Sequence, residues 1–339
     1  YNTPKIWLRE AIDSVLNQAY ENWELCIADD ASTKPYVKDI LKEYASKDSR
    51  IKIVLRSKNG HISTASNSAM ELATGNFVGL FDHDDLLHPL ALYFSAEEIN
   101  ASPDAMLIYS DEDFISSDGE RNLPYFKCEF NYDLFLAHNM ITHFGIYKTS
   151  LVRELGGFRE DFDGAQDYDL ALRFIEKISF EQIKHIPRVL YHWRMHSDSS
   201  ASGSDAKPYA HIAAMRSIQE HLDRKQVAAK VESAAEAKGC NRVRYTLPIT
   251  QPSVEIIIPT RDGLELLRQC LISIVNKTTY QNYVITIIDN GSVESDTLSY
   301  LQEITRDQRI RVKRDDSPFN FSALNNRVGL KSTADFVLL

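Results

Sequence analysis

Apolar positions in the first part of the chain switch between two periods. Leu8, Ile12, Val15 and Leu16 share one side of a helix, and Pro4 suits its opening turn. Residues 23–28 are a short apolar run ending in Asp29-Asp30, which reads as a parallel strand buried on both faces. The same pattern predicts a helix over 37–44, a strand over 51–55, a helix rich in small residues over 63–73, a strand over 77–81, a helix over 89–100 and a strand over 105–109. Such alternation predicts a doubly wound α/β sheet. In sheets of this kind ligands bind beyond the carboxyl ends of the strands. Asp29, Asp30, Asp82, Asp84 and Asp111 fall at those ends. Further on, Leu170, Phe174 and Ile175 begin a helical face, 186–193 reads as a strand, 197–207 as a Ser/Gly-rich loop, 209–224 as a helix and 228–238 as an Ala-rich connector.

The pattern then starts again. Leu8-Arg9-Glu10-Ala11-Ile12 is matched by Leu267-Arg268-Gln269-Cys270-Leu271, and Tyr20-Glu21-Asn22-Trp23 by Tyr280-Gln281-Asn282-Tyr283. Ile27-Ala28-Asp29-Asp30-Ala31-Ser32 is matched by Ile287-Ile288-Asp289-Asn290-Gly291-Ser292, and Arg50-Ile51-Lys52-Ile53 by Arg309-Ile310-Arg311-Val312. So long a period means tandem domains, not a solenoid. The expected division is a domain over 1–245, a linker over 246–252 marked by Pro248 and Pro252, and the first half of a second domain over 253–339. The apolar strand at 254–259 has no counterpart after Tyr1, and the counterpart of Asp82 would fall beyond Leu339. The expectation is a first copy without its first strand and a second copy that stops before its acidic loop and folds incompletely.

Composition narrows the chemistry. With 38 Lys+Arg against 48 Asp+Glu the net charge is −10, so the chain is not built to wrap nucleic acid, whose phosphates call for a basic surplus. No GxGxxG or GxxxxGK occurs, which removes the glycine-cradle signatures of dinucleotide and P-loop sites. Cys26, Cys128, Cys240 and Cys270 are far apart and form no CxxC, the pattern of reduced thiols in a cytosolic protein. No apolar run approaches the roughly 18 residues of a membrane span.

Taken together, Tyr1-Asn2-Thr3-Pro4, Asp29-Asp30-Ala31-Ser32, Asn59-Gly60-His61-Ile62-Ser63, Asp82-His83-Asp84-Asp85, Gln166-Asp167-Tyr168-Asp169-Leu170 and His192-Trp193-Arg194 give the chain its resemblance. It resembles the family 2 glycosyltransferases of GT-A-type fold, in particular tandem-domain bacterial enzymes of surface-polysaccharide synthesis. The likeness covers nearly all of residues 1–220. Residues 253–339 resemble the opening half of a second such domain, through Asp289-Asn290-Gly291-Ser292 and Phe319-Asn320-Phe321-Ser322.

The resemblance implies an inverting, metal-dependent transferase that moves a sugar from a UDP- or dTDP-sugar to a glycan or lipid-linked glycan acceptor. The work would be done in the cytoplasm, including the inner membrane face. Such a transfer must neutralise a leaving diphosphate, for which a hard divalent cation on oxygen ligands is suited. It also needs a base for the acceptor hydroxyl. By resemblance Asp84 would ligate Mn²⁺ or Mg²⁺, with His196 as a further metal or phosphate ligand. Asp82 would bond the ribose and Asp29 the uracil or thymine ring, with Asp30 as a second donor contact. Asp167 would be the general base. Asp111, Glu112 and Arg194 are candidates for acceptor or phosphate contacts, and Arg56 for a phosphate contact.

Each residue has a plainer reading. Asp82–Asp85 could be a solvated acidic turn, Asp30 a member of an Asx-turn, and Asp111-Glu112 part of a polar loop. Asp167 suits a helix N-cap, where the helix dipole would lower its pKa and weaken it as a base. Asp169 reads as structural. Two other functions stay open: a non-catalytic nucleotide-sugar or glycan-binding module, and a nucleotidyltransferase, for which no glycine-rich basic triphosphate loop is visible.

Overall fold

The computed structural model describes residues 1–116, 118–195 and 208–339. Contacts divide the chain into two units, Tyr1–Thr246 and Leu247–Leu339. In the first unit the elements run α1 (Lys5–Leu16), β1 (Leu25–Asp29), α2 (Pro35–Lys47), β2 (Ile51–Leu55), α3 (His61–Leu72), β3 (Phe77–Gly79), β4 (Leu86–Leu87) and α4 (Ala91–Ala101). Then come β5 (Leu107–Ile115), β6 (Arg121–Tyr125), α5 (Tyr132–Ala137), β7 (Ile146–Lys148), α6 (Thr149–Glu154), α7 (Gln166–Ile175), β8 (Ile183–Arg194), α8 (Pro208–Arg224), β9 (Ala229–Ser233) and β10 (Asn241–Tyr245).

The main sheet has the order β3-β7-β5-β8-β4, with β6 added beside β5. It is mixed: β5 and β8 are parallel, whereas β3–β7, β5–β7, β4–β8 and β5–β6 are antiparallel. Its core is aromatic. Tyr109, Tyr147, Tyr191, Phe135, Phe162 and Phe174 are all fully buried, and each such side chain contributes about 1.5–3 kcal/mol by leaving water.

Two expectations change here. β5 does not stop at Tyr109 but continues to Ile115, so Asp111 and Glu112 lie within a buried strand and not at its end. The strand tolerates them because each carboxylate has a partner: Asp111 meets His185 at 2.8 Å and Glu112 meets Lys127 at 3.2 Å. The expected connector over 228–238 contains strand β9, which pairs with β10 in an antiparallel hairpin. Val231 and Val243 of that hairpin pack on the main core.

The second unit contains β11 (Val254–Thr260), α9 (Leu264–Lys277), β12 (Tyr283–Asp289), α10 (Ser295–Ile304), β13 (Ile310–Arg314), α11 (Phe321–Gly329) and β14 (Phe336–Leu338). They close a four-stranded sheet, β13-β12-β11-β14, over a core of Ile285, Ile287, Leu301 and neighbours, so this unit forms a sheet of its own. All its pairings are parallel.

The repeat extends to individual hydrogen bonds. In the first unit Asn2 N donates to Ser32 Oγ, and Asn2 Oδ1 accepts from Thr33 N and Lys34 N. In the second, Asp262 N donates to Ser292 Oγ, and Asp262 Oδ1 accepts from Val293 N and Glu294 N. Both Asn2 (φ 55°) and Asp262 (φ 51°) are left-handed, a conformation that Asn and Asp enter more readily than other side chains.

The units differ at one place. In the second, β11 stands between β12 and β14. In the first, no strand stands between β1 and β3 among the described residues, and β1 pairs with β2 alone. The residues of β1 are mostly half-buried, whereas β12, flanked on both sides, is almost wholly buried.

Candidate active site

A cleft of 1030 Å³ lies within the first unit. Its lining includes Leu25 and Cys26 of β1, Phe77–Asp82 of β3 and the turn after it, Asn139 and His143, Asp167 of α7 and Asn241 of β10. Of the carboxylates singled out from sequence, Asp82 and Asp167 line this cleft.

Asp82 begins the acidic turn after β3. Its backbone N–H donates to the Tyr191 hydroxyl at 3.2 Å, and that hydroxyl donates to Asp85 Oδ2 at 2.6 Å. Asp85 Oδ1 accepts from Arg194 N at 2.7 Å. Tyr191 is fully buried, so one rigid ring sets the whole turn. Burial, with Asp82 and Asp84 adding like charge, pushes the Asp85 carboxyl up to about 7. Asp82 is the open member, with a half-exposed side chain.

His143 was not found from sequence. It stacks on Tyr191 at 4.4 Å, with Nδ1 3.2 Å from Glu112 and Nε2 3.8 Å from Asp82. Burial works against its charged form, but Asp82 and Glu112 outweigh that and raise it to about 10. Ligand atoms of Asp82, Asp85 and His143 lie within 4.8 Å of one another. Asp84, the expected metal ligand, belongs to the same turn but not to this trio. Its side chain is largely buried beside His83, 2.9 Å away, and its carbonyl accepts from Arg194 Nε at 2.6 Å. Of the trio, Asp82 offers the free carboxylate edge that a hard divalent cation would take, whereas His143, held protonated between Asp82 and Glu112, would have to give up its proton to join it. Asp82, Asp84 and Asp85 crowd one turn, and Asp82 alone keeps an open edge.

Asp167 lies in the first turn of α7 and is not its N-cap, which is Ala165. The sequence expectation of a lowered pKa is reversed. Burial raises it, assisted by Asp82, and outweighs His143 and the backbone N–H groups of the helix start. A carboxylate shifted upward is a better proton acceptor.

The remaining predicted residues are engaged elsewhere. Asp29 is buried at the end of β1, with Oδ1 accepting from Ser32 N at 3.2 Å. Asp30 binds Arg56 Nε at 2.8 Å and Gly60 N at 3.0 Å, so the Asp30–Arg56 pair locks the strand ends together. Asp111 turns to His185 and Lys127 N, and Glu112 to Lys127 and His143. Arg194 is bonded to the Asp84 carbonyl and to Glu10 at 2.8 Å, and so supports the acidic turn from behind. None of Asp29, Asp30, Asp111, Glu112 and Arg194 lines the cleft, and all but Asp29 spend their charge on an internal partner. Asp169 is fully buried between Arg159 and Arg173. His196 lies outside the described residues.

The pattern of glycosyl transferase family 2 matches residues 1–156 and again 255–339. The chain is 47% identical over 340 residues to y4gI of Sinorhizobium fredii, described as an uncharacterized protein, covering all of this chain and 37% of that one. It is 36% identical over 338 residues to the O-antigen biosynthesis protein RfbC of Myxococcus xanthus, covering all of this chain and 26% of that one. The chain thus spans little more than a third of the longer-matched relative and about a quarter of the other. A solved structure of TarS residues 1–349 from S. aureus in complex with UDP-GlcNAc is 18% identical, with a TM-score of 0.47, over 64% of this chain and 68% of that one. The chain belongs to glycosyl transferase family 2, and its mixed α/β sheet is the GT-A-type arrangement.

Proposed function

We propose that the first unit is an inverting glycosyltransferase that moves a sugar from a UDP- or dTDP-sugar to a hydroxyl of a glycan or lipid-linked glycan. One observation carries this reading: Asp82, on the acidic turn, and Asp167, with its raised pKa, line the same cleft. In the reaction Asp167 accepts the proton of the acceptor hydroxyl as that oxygen bonds to the anomeric carbon. The bond from that carbon to the diphosphate breaks on the opposite side, and the nucleoside diphosphate leaves with the electron pair, giving inversion. Mn²⁺ or Mg²⁺ would be held by Asp82, with Asp84, Asp85 and His143 around it, and would neutralise the leaving diphosphate. Asp29 would accept from the ring N–H of uracil or thymine.

The name of the Myxococcus relative supports a role in bacterial surface-polysaccharide synthesis. We place the reaction on the cytoplasmic side, where nucleotide sugars are made, including the inner membrane face. Among the described residues no helix is long and apolar enough to cross a membrane. The shared turn of Asn2 and Asp262, and the two separate family matches, support two copies of one donor-binding fold.

The test is donor turnover with UDP- and dTDP-sugars in Mn²⁺, for the wild type, Asp82→Ala, Asp84→Ala and Asp167→Asn. Loss of general-base catalysis lowers turnover about 10²–10⁴-fold in Asp167→Asn. Nucleotide binding without turnover in the wild type would instead make this a binding module.

A further inference from the structure

His138, Asn139, Thr142 and His143 of the segment 138–143 line the cleft. Asn139 Nδ2 donates to Asp167 Oδ2 at 2.8 Å, and Asn139 Oδ1 accepts from Thr142 N at 3.3 Å. Together these bonds fix which end of the amide meets the carboxylate. Four residues on, His143 lies between Asp82 and Glu112. Beneath the segment is a buried clamp. Glu112 Oε2 accepts from Thr142 Oγ1 at 3.0 Å, His143 N at 3.1 Å and Lys127 Nζ at 3.2 Å. Lys127, whose side chain is wholly buried, also donates to the carbonyls of Ile141 at 2.8 Å and His143 at 2.5 Å. Thr142 sits at φ 32°, a costly conformation for a β-branched residue, which persists where surrounding bonds over-determine it.

We infer that Asn139 is a positioning residue for Asp167, and that the segment 139–143, clamped by Glu112 and Lys127, sets the separation between the proton-accepting carboxylate and the acidic turn. This rests on the reading of Asp167 as the base. Held at Oδ2, Asp167 presents Oδ1 to the acceptor hydroxyl. Without Asn139 its side-chain torsions are unconstrained on that side. A misplacement of about 1 Å at such a group can cost on the order of 10²-fold in rate. Asn139 acts on the reaction through its bond to Asp167.

Steady-state kinetics on Asn139→Ala, Asn139→Asp, Asp167→Asn and the Asn139→Ala/Asp167→Asn double variant test this. The expected result is a kcat lowered about 10–100-fold in Asn139→Ala with donor KM within about twofold. Asn139→Asp, which keeps the shape but offers an acceptor and a like charge, loses at least as much. In the Asp167→Asn background the alanine change costs nothing further, because the partner is already altered. The inference is overturned if Asn139→Ala raises KM and spares kcat, or if its loss multiplies that of Asp167→Asn. Absence of turnover in the wild type would count against the transferase reading alone. For the inference, a crystal structure of Asn139→Ala is the arm independent of activity. Asp167 in more than one rotamer supports it, and an unchanged single rotamer overturns it.

Discussion

Arg314 Nη1 stands 2.7 Å from Asp289 Oδ2, and among the described residues no cation meets Asp29 in the same way. The two aspartates end corresponding strands, and each accepts from the serine three residues on, at 3.2 Å for Asp29 and 2.9 Å for Asp289. The reason lies at the end of the next strand, where β2 closes on Leu55 and β13 on Arg314. Asp289 is thereby neutralised, and its pKa is lowered by Ser292 and Arg314 against the effect of burial. Asp29 keeps one oxygen without a hydrogen-bond partner among the described residues.

From this contrast, Asp29→Asn weakens UDP binding by about tenfold or more, the loss of one hydrogen bond to a charged group, and Asp289→Asn leaves it unchanged. Titration calorimetry with UDP separates them. Equal losses in the two variants would put a nucleotide in each unit.

Asp169 should matter for stability far more than for chemistry. Its carboxylate is fully buried, bonded to Arg159 and to Arg173 Nε at 2.9 Å, and Arg173 in turn holds the carbonyls of Leu155 and Gly157. Asp169→Ala strands a buried guanidinium, and chemical denaturation should read a loss of about 3–5 kcal/mol. A loss below about 1 kcal/mol would mean that the network relaxes freely.

Glu24 ties β1 to the loop before β3. Burial raises its pKa, but Lys52 and the N–H groups of Thr74 and Gly75 outweigh that and hold it at about 2. A depressed carboxyl stabilises the fold above its unfolded pKa of 4.5 and loses that contribution as pH falls through about 2. Glu24→Gln should therefore cost about 1–3 kcal/mol at neutral pH and flatten the decline of stability between those two values. Parallel pH curves for the variant and the wild type would contradict the assignment.

The parts of the site legible in sequence are those carried by local pattern. The acidic turn follows an apolar strand, and Asp167 opens an amphipathic helix, so both could be placed without coordinates. Which carboxylate of the turn faces the cleft could not, because that depends on Tyr191 and Arg194, a hundred residues away, capturing Asp85. His143 and Asn139 sit in a loop with no periodicity, and long-range partners give them position: the Glu112–Lys127 clamp, the Tyr191 ring and Asp167. Asp111 and Glu112 look like a strand end because isolated acids usually are. Their buried partners Lys127 and His185 lie far along the chain.

The central claim is that the acidic turn holds the diphosphate end of a nucleotide sugar while Asp167 serves the acceptor. UDP binding measured with and without Mn²⁺ in the wild type, Asp82→Ala and Asp167→Asn tests it most directly. The account predicts cation-dependent binding that Asp82→Ala abolishes and Asp167→Asn retains. Binding by Asp82→Ala that matches the wild type in the presence of Mn²⁺ would contradict it.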